Sequence, residues 1–462
     1  MRGNRERPAQ KQQPNIQNCP PLGLAYLASY LEKYTSFKVE LIDVQVESVS
    51  IEEMALRLKK INPFAIGISV TSFSLFYTYT LIQKIRALMD VNIIIGGPHV
   101  SSDPKSVFEL GANYGIVGEG EISLTMLLKS LSDGSKPNGI AGLVWKRDNK
   151  IFVNTSNKAR DLNGLPFPSW HLLSSNRYYH ALFPGKFMTM ITSRGCPYDC
   201  IFCATPFVRS YRERSAENVV LEIKEIINQK YNWIVFCDDI FTLHKDRTKE
   251  ICNLILEKNV KINWACASRA DLVDKDLLVL MKKAGCQHIH YGVETGVEQI
   301  RYRVINKSID DNLIKEVFKV SQKAGLLTTA FIMFGHPTET VNDMKQTLRF
   351  INELQPNYID ITLATCIPGS KLFELACKEG KISGKIWNNV AKGKKSIPIY
   401  IPDGITFKQM REFQARGYIK FYFNLKFILK RLSIIRSYKE IMHLYKAFLR
   451  LCILLKNNTD LR

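Results

Sequence analysis

Three of the eleven cysteines in this chain share one short segment, Arg194-Gly195-Cys196-Pro197-Tyr198-Asp199-Cys200-Ile201-Phe202-Cys203. On a loop, the C-x3-C-x2-C spacing lets three thiolates turn toward one centre. A closed structural zinc site takes four ligands, and no Cys or His follows closely enough to be the fourth. An iron–sulfur cluster held by three thiolates leaves one iron open, so the spacing points to Cys196, Cys200 and Cys203 as cluster ligands. The other cysteines read as small buried hydrophobes. Cys237, Cys266, Cys286 and Cys366 lie in or beside apolar runs, and Cys19, Cys252, Cys377 and Cys452 have no partner at ligand spacing.

The elements that must position this loop alternate regularly. FMTMITS (187–193) opens a strand–helix series with later strands at 233–239, 262–268, 288–294, 328–335 and 358–364, separated by helical patterns near 216–229, 246–258, 275–284, 310–324 and 340–354. Six such units predict a partial (β/α)6 barrel with its chemistry at the carboxyl ends of the strands. Upstream, helical patterns at 21–34, 51–62, 74–89 and 122–131 alternate with strands at 38–45, 65–70, 91–97 and 114–121. Wholly apolar, β-branched strands of this kind predict a Rossmann-like parallel sheet covered on both faces, with ligands at the strand ends. Those ends read Ser69-Val70-Thr71-Ser72, Gly96-Gly97-Pro98-His99 and Gly118-Glu119-Gly120-Glu121. Residues 143–154 read as a hairpin. The expected organisation is a polar segment (1–19), the Rossmann-like domain (20–153), a linker (154–180), the barrel (181–385) and a basic helical region (386–462).

The cysteine motif at the head of a six-unit series resembles the radical S-adenosylmethionine (radical SAM) superfamily over about residues 187–375. The resemblance implies a 4Fe-4S cluster on Cys196, Cys200 and Cys203, with its open iron chelating S-adenosylmethionine for reductive cleavage. It also implies cofactor contacts at Phe202, Asp238, Arg269, Glu294 and Gly335. Asp238 also reads as a helix cap, Arg269 and Glu294 as a structural pair, and His336 as a turn residue. The glycine-rich strand ends, Pro20-Pro21-Leu22-Gly23-Leu24 and the Leu165-Pro166-Phe167-Pro168 linker resemble the cobalamin-binding subclass. That implies cobalamin at Ser69, Thr71, Gly96, Gly97, Gly118 and Glu119. No D-x-H-x-x-G occurs, so no histidine of that motif ligates cobalt. Members of the subclass usually begin with a strand of the type K-V-L-L-I-N-P-P; here polar RGNRERPAQKQQPNIQN replaces it, and the sheet is expected to lack its first strand.

What these cofactors imply is methylation of an unactivated carbon of a small-molecule or lipid-like substrate, with electrons from a donor such as flavodoxin or ferredoxin. An anaerobic porphyrin cyclase-type reaction uses the same parts. A methylthiotransferase that modifies RNA carries a second three-cysteine cluster near its amino terminus, whereas residues 1–150 contain only Cys19; nucleic acid is not the expected partner. A degenerate cobalamin or redox sensor is the non-enzymatic alternative. At 46% hydrophobic and 23% charged residues, the chain has the composition of a globular protein rather than a disordered one. Without a run of about 18 apolar residues it is expected to be cytoplasmic. Residues 405–462 hold 13 Lys/Arg against 3 Asp/Glu, a pattern compatible with peripheral membrane contact or with helices packed on the barrel.

Overall fold

The computed structural model describes residues 17–424 apart from 48, 160, 174–177, 181–182, 184 and 205–209. Two sheets organise them. In the first, β1 (Ala65–Ser69), β2 (Asn92–Gly96) and β3 (Tyr114–Ile116) run parallel. The antiparallel hairpin β4 (Leu143–Arg147) and β5 (Lys150–Val153) continues the sheet. The central strand β2 is NIIIG, with three consecutive buried isoleucines, because it is covered on both faces. Helices α1 (Leu22–Tyr34), α2 (Ile51–Ile61), α3 (Leu75–Leu88) and α4 (Glu121–Asp133) accompany the sheet. Ser50 and Glu53 close a capping box on α2 and Asn62 ends it in the left-handed region. Such a cap is worth about 1 kcal/mol.

The strand expected at 38–45 is not formed. Residues 36–43 carry no strand, and Val44–Glu47 turn into a short helix. A strand needs a ladder partner, yet β1 is the sheet's edge and no described strand lies beyond it. The residues read as replacing the first strand lie mostly outside the described ones. The strand expected at 114–121 stops at Ile116, because Gly118 turns the chain with φ +82°.

The second sheet holds β6 (Phe187–Met190), β7 (Trp233–Phe236), β8 (Asn263–Ser268), β9 (Cys286–Glu294), β10 (Leu327–Phe334) and β11 (Tyr358–Leu363). All are parallel, in the order β11-β10-β9-β8-β7-β6. The six-unit expectation holds, and the barrel is partial, with β6 and β11 as free edges of the sheet. Helices α5 (Ala216–Asn228), α6 (Lys245–Glu257), α7 (Lys275–Lys283), α8 (Asp311–Lys323) and α9 (Val341–Leu354) link the strands. Ser215, Asp274, Asp310 and Thr340 accept amide hydrogen bonds as N-caps. All six carboxyl ends therefore meet on one rim, which also carries the cysteine loop.

Three further helices follow: α10 (Lys371–Lys378), α11 (Ile386–Ala391) and α12 (Phe407–Tyr422). Trp387, Val390 and Ala391 of α11 are buried in the core of the first domain. Helix α12 packs on the barrel, with Met410, Phe413 and Phe421 in its core. Of the basic region, this part is the packed helix; residues 425–462 lie outside the described ones. No helix among the described residues is long and apolar enough to cross a membrane.

Candidate functional site

The cysteine loop leaves β6 through Thr192 and Ser193, and a buried carboxylate fixes that exit. Asp238 accepts from the Thr192 amide at 3.1 Å, from the Thr192 hydroxyl at 2.8 Å and from the Ser193 hydroxyl. Its neighbour Asp239 accepts from the Gly195 amide. The Asp pair after β7 thus holds the loop, Asp238 at its start and Asp239 one residue before Cys196. Gly195 sits at φ +100°, a conformation that side chains rarely adopt. Farther along, the Ile201 amide donates to Ile305 O and the Leu372 amide to Ile201 O, anchoring the loop to two other segments.

Cys196, Cys200 and Cys203 are all half-buried. Among the described residues no three His, Cys, Asp or Glu side chains gather closely enough for a single metal ion. Burial pushes the Cys200 thiol up to about 11, against the opposing pull of Lys307 and Arg269; burial also raises Cys196. Loading must therefore displace protons from these thiols, and the two cations beside Cys200 favour the thiolate. A loop with three soft donors and adjacent positive charge fits an iron–sulfur cluster.

Around this loop stand the other positions read from the strand ends. Arg269, after β8, lies over the Tyr198 ring at 3.6 Å and pairs with Asp271 at 2.9 and 3.0 Å. Glu294, the last residue of β9, has φ +66°, a costly backbone for a non-glycine. It accepts from Lys307 at 2.8 Å, while Lys307 also donates to Gly292 O at 2.6 Å. The expected structural pairing of Arg269 with Glu294 is thus replaced by two separate pairs, because each has a carboxylate or ammonium of its own within reach. Phe202 is half-buried, and its ring centroid lies 6.2 Å from that of His336. Burial lowers His336 to about 4, its ring abuts the carbonyls of Glu294 and Met333, and its Nε2 has no partner. Gly335 has φ +97°, and a Cβ there would lie 2.9 Å from Tyr400 O. Lys307 and Asp271 were not singled out from the sequence, since they sit outside any motif spacing.

In the first domain, Ser69 and Thr71 are exposed at the end of β1, beside Phe73 and Phe76, which are 60% and 45% exposed. Gly97 has φ +97°, and a Cβ there would lie 3.0 Å from both Val70 N and O; Gly96 precedes it on the same strand end. Gly118 donates its amide to Ser101 Oγ at 2.9 Å. An open rim of small residues flanked by exposed rings fits a large flat ligand such as a corrin. His99 is buried and bonded to Ser72 at 2.9 Å, a structural placement. Glu119 faces the barrel instead of the rim. It pairs with Arg212, lies 3.5 Å from Arg194 and accepts from the Ala159 amide at 2.9 Å, while Arg194 also pairs with Glu121 at 2.7 Å. The loop after β3 is therefore in direct ionic contact with the residue two before Cys196.

A Rossmann-like ligand domain joined to a six-stranded parallel half-barrel with a three-cysteine loop defines a class: radical SAM proteins with a cobalamin-type domain. Residues 190–351 match the Radical SAM superfamily and residues 17–128 the B12 binding domain. The uncharacterized methyltransferase PH0819 of Pyrococcus horikoshii is 30% identical over 419 residues, covering 89% of each chain. The anaerobic magnesium-protoporphyrin IX monomethyl ester cyclase of Rubrivivax gelatinosus is 24% identical, covering 89% of this chain and 75% of its own. The radical S-adenosylmethionine methyltransferase TsrM from Kitasatospora setae, solved with cobalamin and a [4Fe-4S] cluster, shares the fold. Its TM-score is 0.68 at 18% identity, covering 87% of this chain and 82% of that one. The cobalamin-dependent radical enzyme OxsB shares it at TM-score 0.72 and 20% identity, covering 94% and 69%. The chain belongs to the radical SAM enzymes that carry a B12-binding domain. The cofactors of these two domains are a 4Fe-4S cluster, S-adenosylmethionine and cobalamin.

Proposed function

We propose that this enzyme methylates an unactivated carbon of a small-molecule substrate, with Cys196, Cys200 and Cys203 holding the cluster and the β1–β3 rim holding cobalamin. The carrying observation is the ionic contact of Glu119 and Glu121 with Arg194, which ties the loop after β3 to the cluster loop. When bound, the cluster with S-adenosylmethionine supplies one-electron cleavage and hydrogen abstraction, and methylcobalamin supplies the methyl group. The protein's own part is placement. Asp238 and Asp239 fix the cysteine loop, Arg269 and Lys307 favour its thiolates, and Glu294, Phe202 and Gly335 surround the space above it. Electrons come from a donor of the flavodoxin or ferredoxin type.

Anaerobic reconstitution should give a brown protein with about four irons. Replacing Cys196, Cys200 or Cys203 by Ala should remove both colour and S-adenosylmethionine cleavage. Iron retained in full by all three variants would overturn the cluster assignment. With methyl-deuterated S-adenosylmethionine, a methyltransferase delivers label to its product. The cyclase reading, which similarity to the porphyrin cyclases also supports, consumes the same cofactor without that transfer.

A further inference from the structure

Along a barrel strand, alternate residues face the helices and the interior. In β9, Ile289, Tyr291 and Val293 are buried toward the helices, and the Tyr291 hydroxyl meets Ser321 of α8 at 2.9 Å. His288, His290 and Gly292 therefore face inward. The same parity in β10 and β11 buries Ala330, Ile332, Ile359 and Ile361 and turns Phe331, Asp360 and Thr362 inward, where all three are exposed. An exposed phenylalanine beside an exposed aspartate on an inner wall is unusual, because both gain from a partner. Phe331 and Asp360 are register neighbours, and Gly292 is the partner of Phe331 on its other side. His290 stacks on Phe331 with centroids 5.4 Å apart and planes 8° apart, backed by His288 at 4.3 Å. Its Nδ1 has no partner. The Tyr418 hydroxyl of α12, 3.0 Å from Asp360 Oδ1, holds the carboxylate in place.

Charge on this wall has one sign. None of the six strands contains a Lys or Arg. Of the described cations beside the cysteine loop, Lys307 is committed to Glu294, Arg269 to Asp271, Arg194 to Glu121 and Lys371 to Asp199. From this we propose that the Phe331–Asp360–His290 layer is the substrate subsite, and that it takes a molecule with a flat apolar ring and an ammonium group. The ring lies along Phe331, whose orientation is fixed by the His290 ring stacked on it, and the ammonium meets Asp360. Anionic substrates, phosphorylated or carboxylated, find no uncommitted counter-charge among the described residues of this wall. The inference rests on the radical SAM reading only in taking the barrel interior as the place of reaction.

Binding without turnover tests it. Tryptamine, indole and indole-3-propionate are titrated into the full-length reconstituted protein with S-adenosylmethionine and read by ligand-observed NMR. Tryptamine should bind on the order of tenfold tighter than indole, and indole-3-propionate more weakly than either. Asp360→Asn should abolish the preference for tryptamine over indole, and Phe331→Ala should weaken both. If Phe331→Ala does not fold, the isosteric Asp360→Asn alone decides. Binding of indole-3-propionate as tight as tryptamine, an unchanged preference in Asp360→Asn, or binding of none of the three overturns the proposal. Because iron content and S-adenosylmethionine cleavage are measured separately on wild-type protein, a failure here is distinct from a failure of the cluster assignment.

Discussion

At the scale of single residues, the turn after β10 concentrates unusual groups. Glu339 is buried, accepts from the Gly335 amide at 2.6 Å and the His336 amide at 3.2 Å, and leaves Oε1 unpartnered. Burial raises its carboxyl to about 8 against the pull of those two amides. The folded state thus keeps a proton that the unfolded chain, near 4.5, has lost. Between those two values the native state binds more protons, so stability falls as pH rises from about 4.5 to 8 and is level above. The slope from this one group approaches about 1.4 kcal/mol per pH unit. Glu339→Gln removes it. The melting temperature of that variant relative to wild type should climb between pH 5 and 8; a difference constant across that range refutes the assignment. Sequence gave no warning of this. No motif spacing singles out Glu339, and its environment is set only when the turn folds so that the Gly335 and His336 amides reach its carboxylate.

Among the elements, α12 does work that its composition disguises. Tyr418 and Tyr422, four residues apart on one face, reach the free edge of β11. The Ile361 amide donates to Tyr418 at 2.9 Å, the Ile359 amide to Tyr422 at 3.2 Å, and Tyr422 donates back to Ile359 O. Gln414 donates to Ile361 O. An open edge strand pairs with other chains unless covered, so the double change Tyr418→Phe, Tyr422→Phe should lower the melting temperature and promote aggregation. Equal solubility and melting would show that packing alone covers the edge. The alternation of strands and helices was legible because it is local: apolar runs and helix caps identify β6 to β11 and their helices to within two residues, except that β6 and β7 each end three residues earlier than the apolar runs suggest. The cysteine spacing was legible for the same reason. What escaped is non-local. Residues 38–45 carry a strand pattern but lack a neighbour, α11 is defined by Trp387 entering another domain's core, and the bonding of Tyr418 and Tyr422 to one strand edge has no local signature.

For the whole molecule, the question is how two ligand domains stay in register. Four charged side chains answer it: Glu119 and Glu121 from the first domain, Arg194 and Arg212 from the second, with at most 17% of any of them exposed. Burial alone would raise Glu119, but the Arg212 hydrogen bond, Arg194 and the Ala159 amide hold it below its usual range. A folded value lowered in this way contributes stability that is present at neutral pH and lost as pH falls through the carboxylate range. Removing one side of such a network leaves buried charge uncompensated, a cost of about 3–5 kcal/mol. Glu119→Gln with Glu121→Gln does this to Arg194 and Arg212 while keeping the side-chain volumes. In calorimetry at pH 7 the wild-type domains should melt together, whereas the double variant should show the two domains melting in separate steps, the first at lower temperature. As the pH of the wild-type sample is lowered from 4.5 through the depressed folded value of Glu119, its profile should move toward that of the variant. A single unchanged transition in the variant would mean that apolar contacts such as Leu22, Ala25 and Tyr26 of α1, buried in the barrel core, suffice to join the domains.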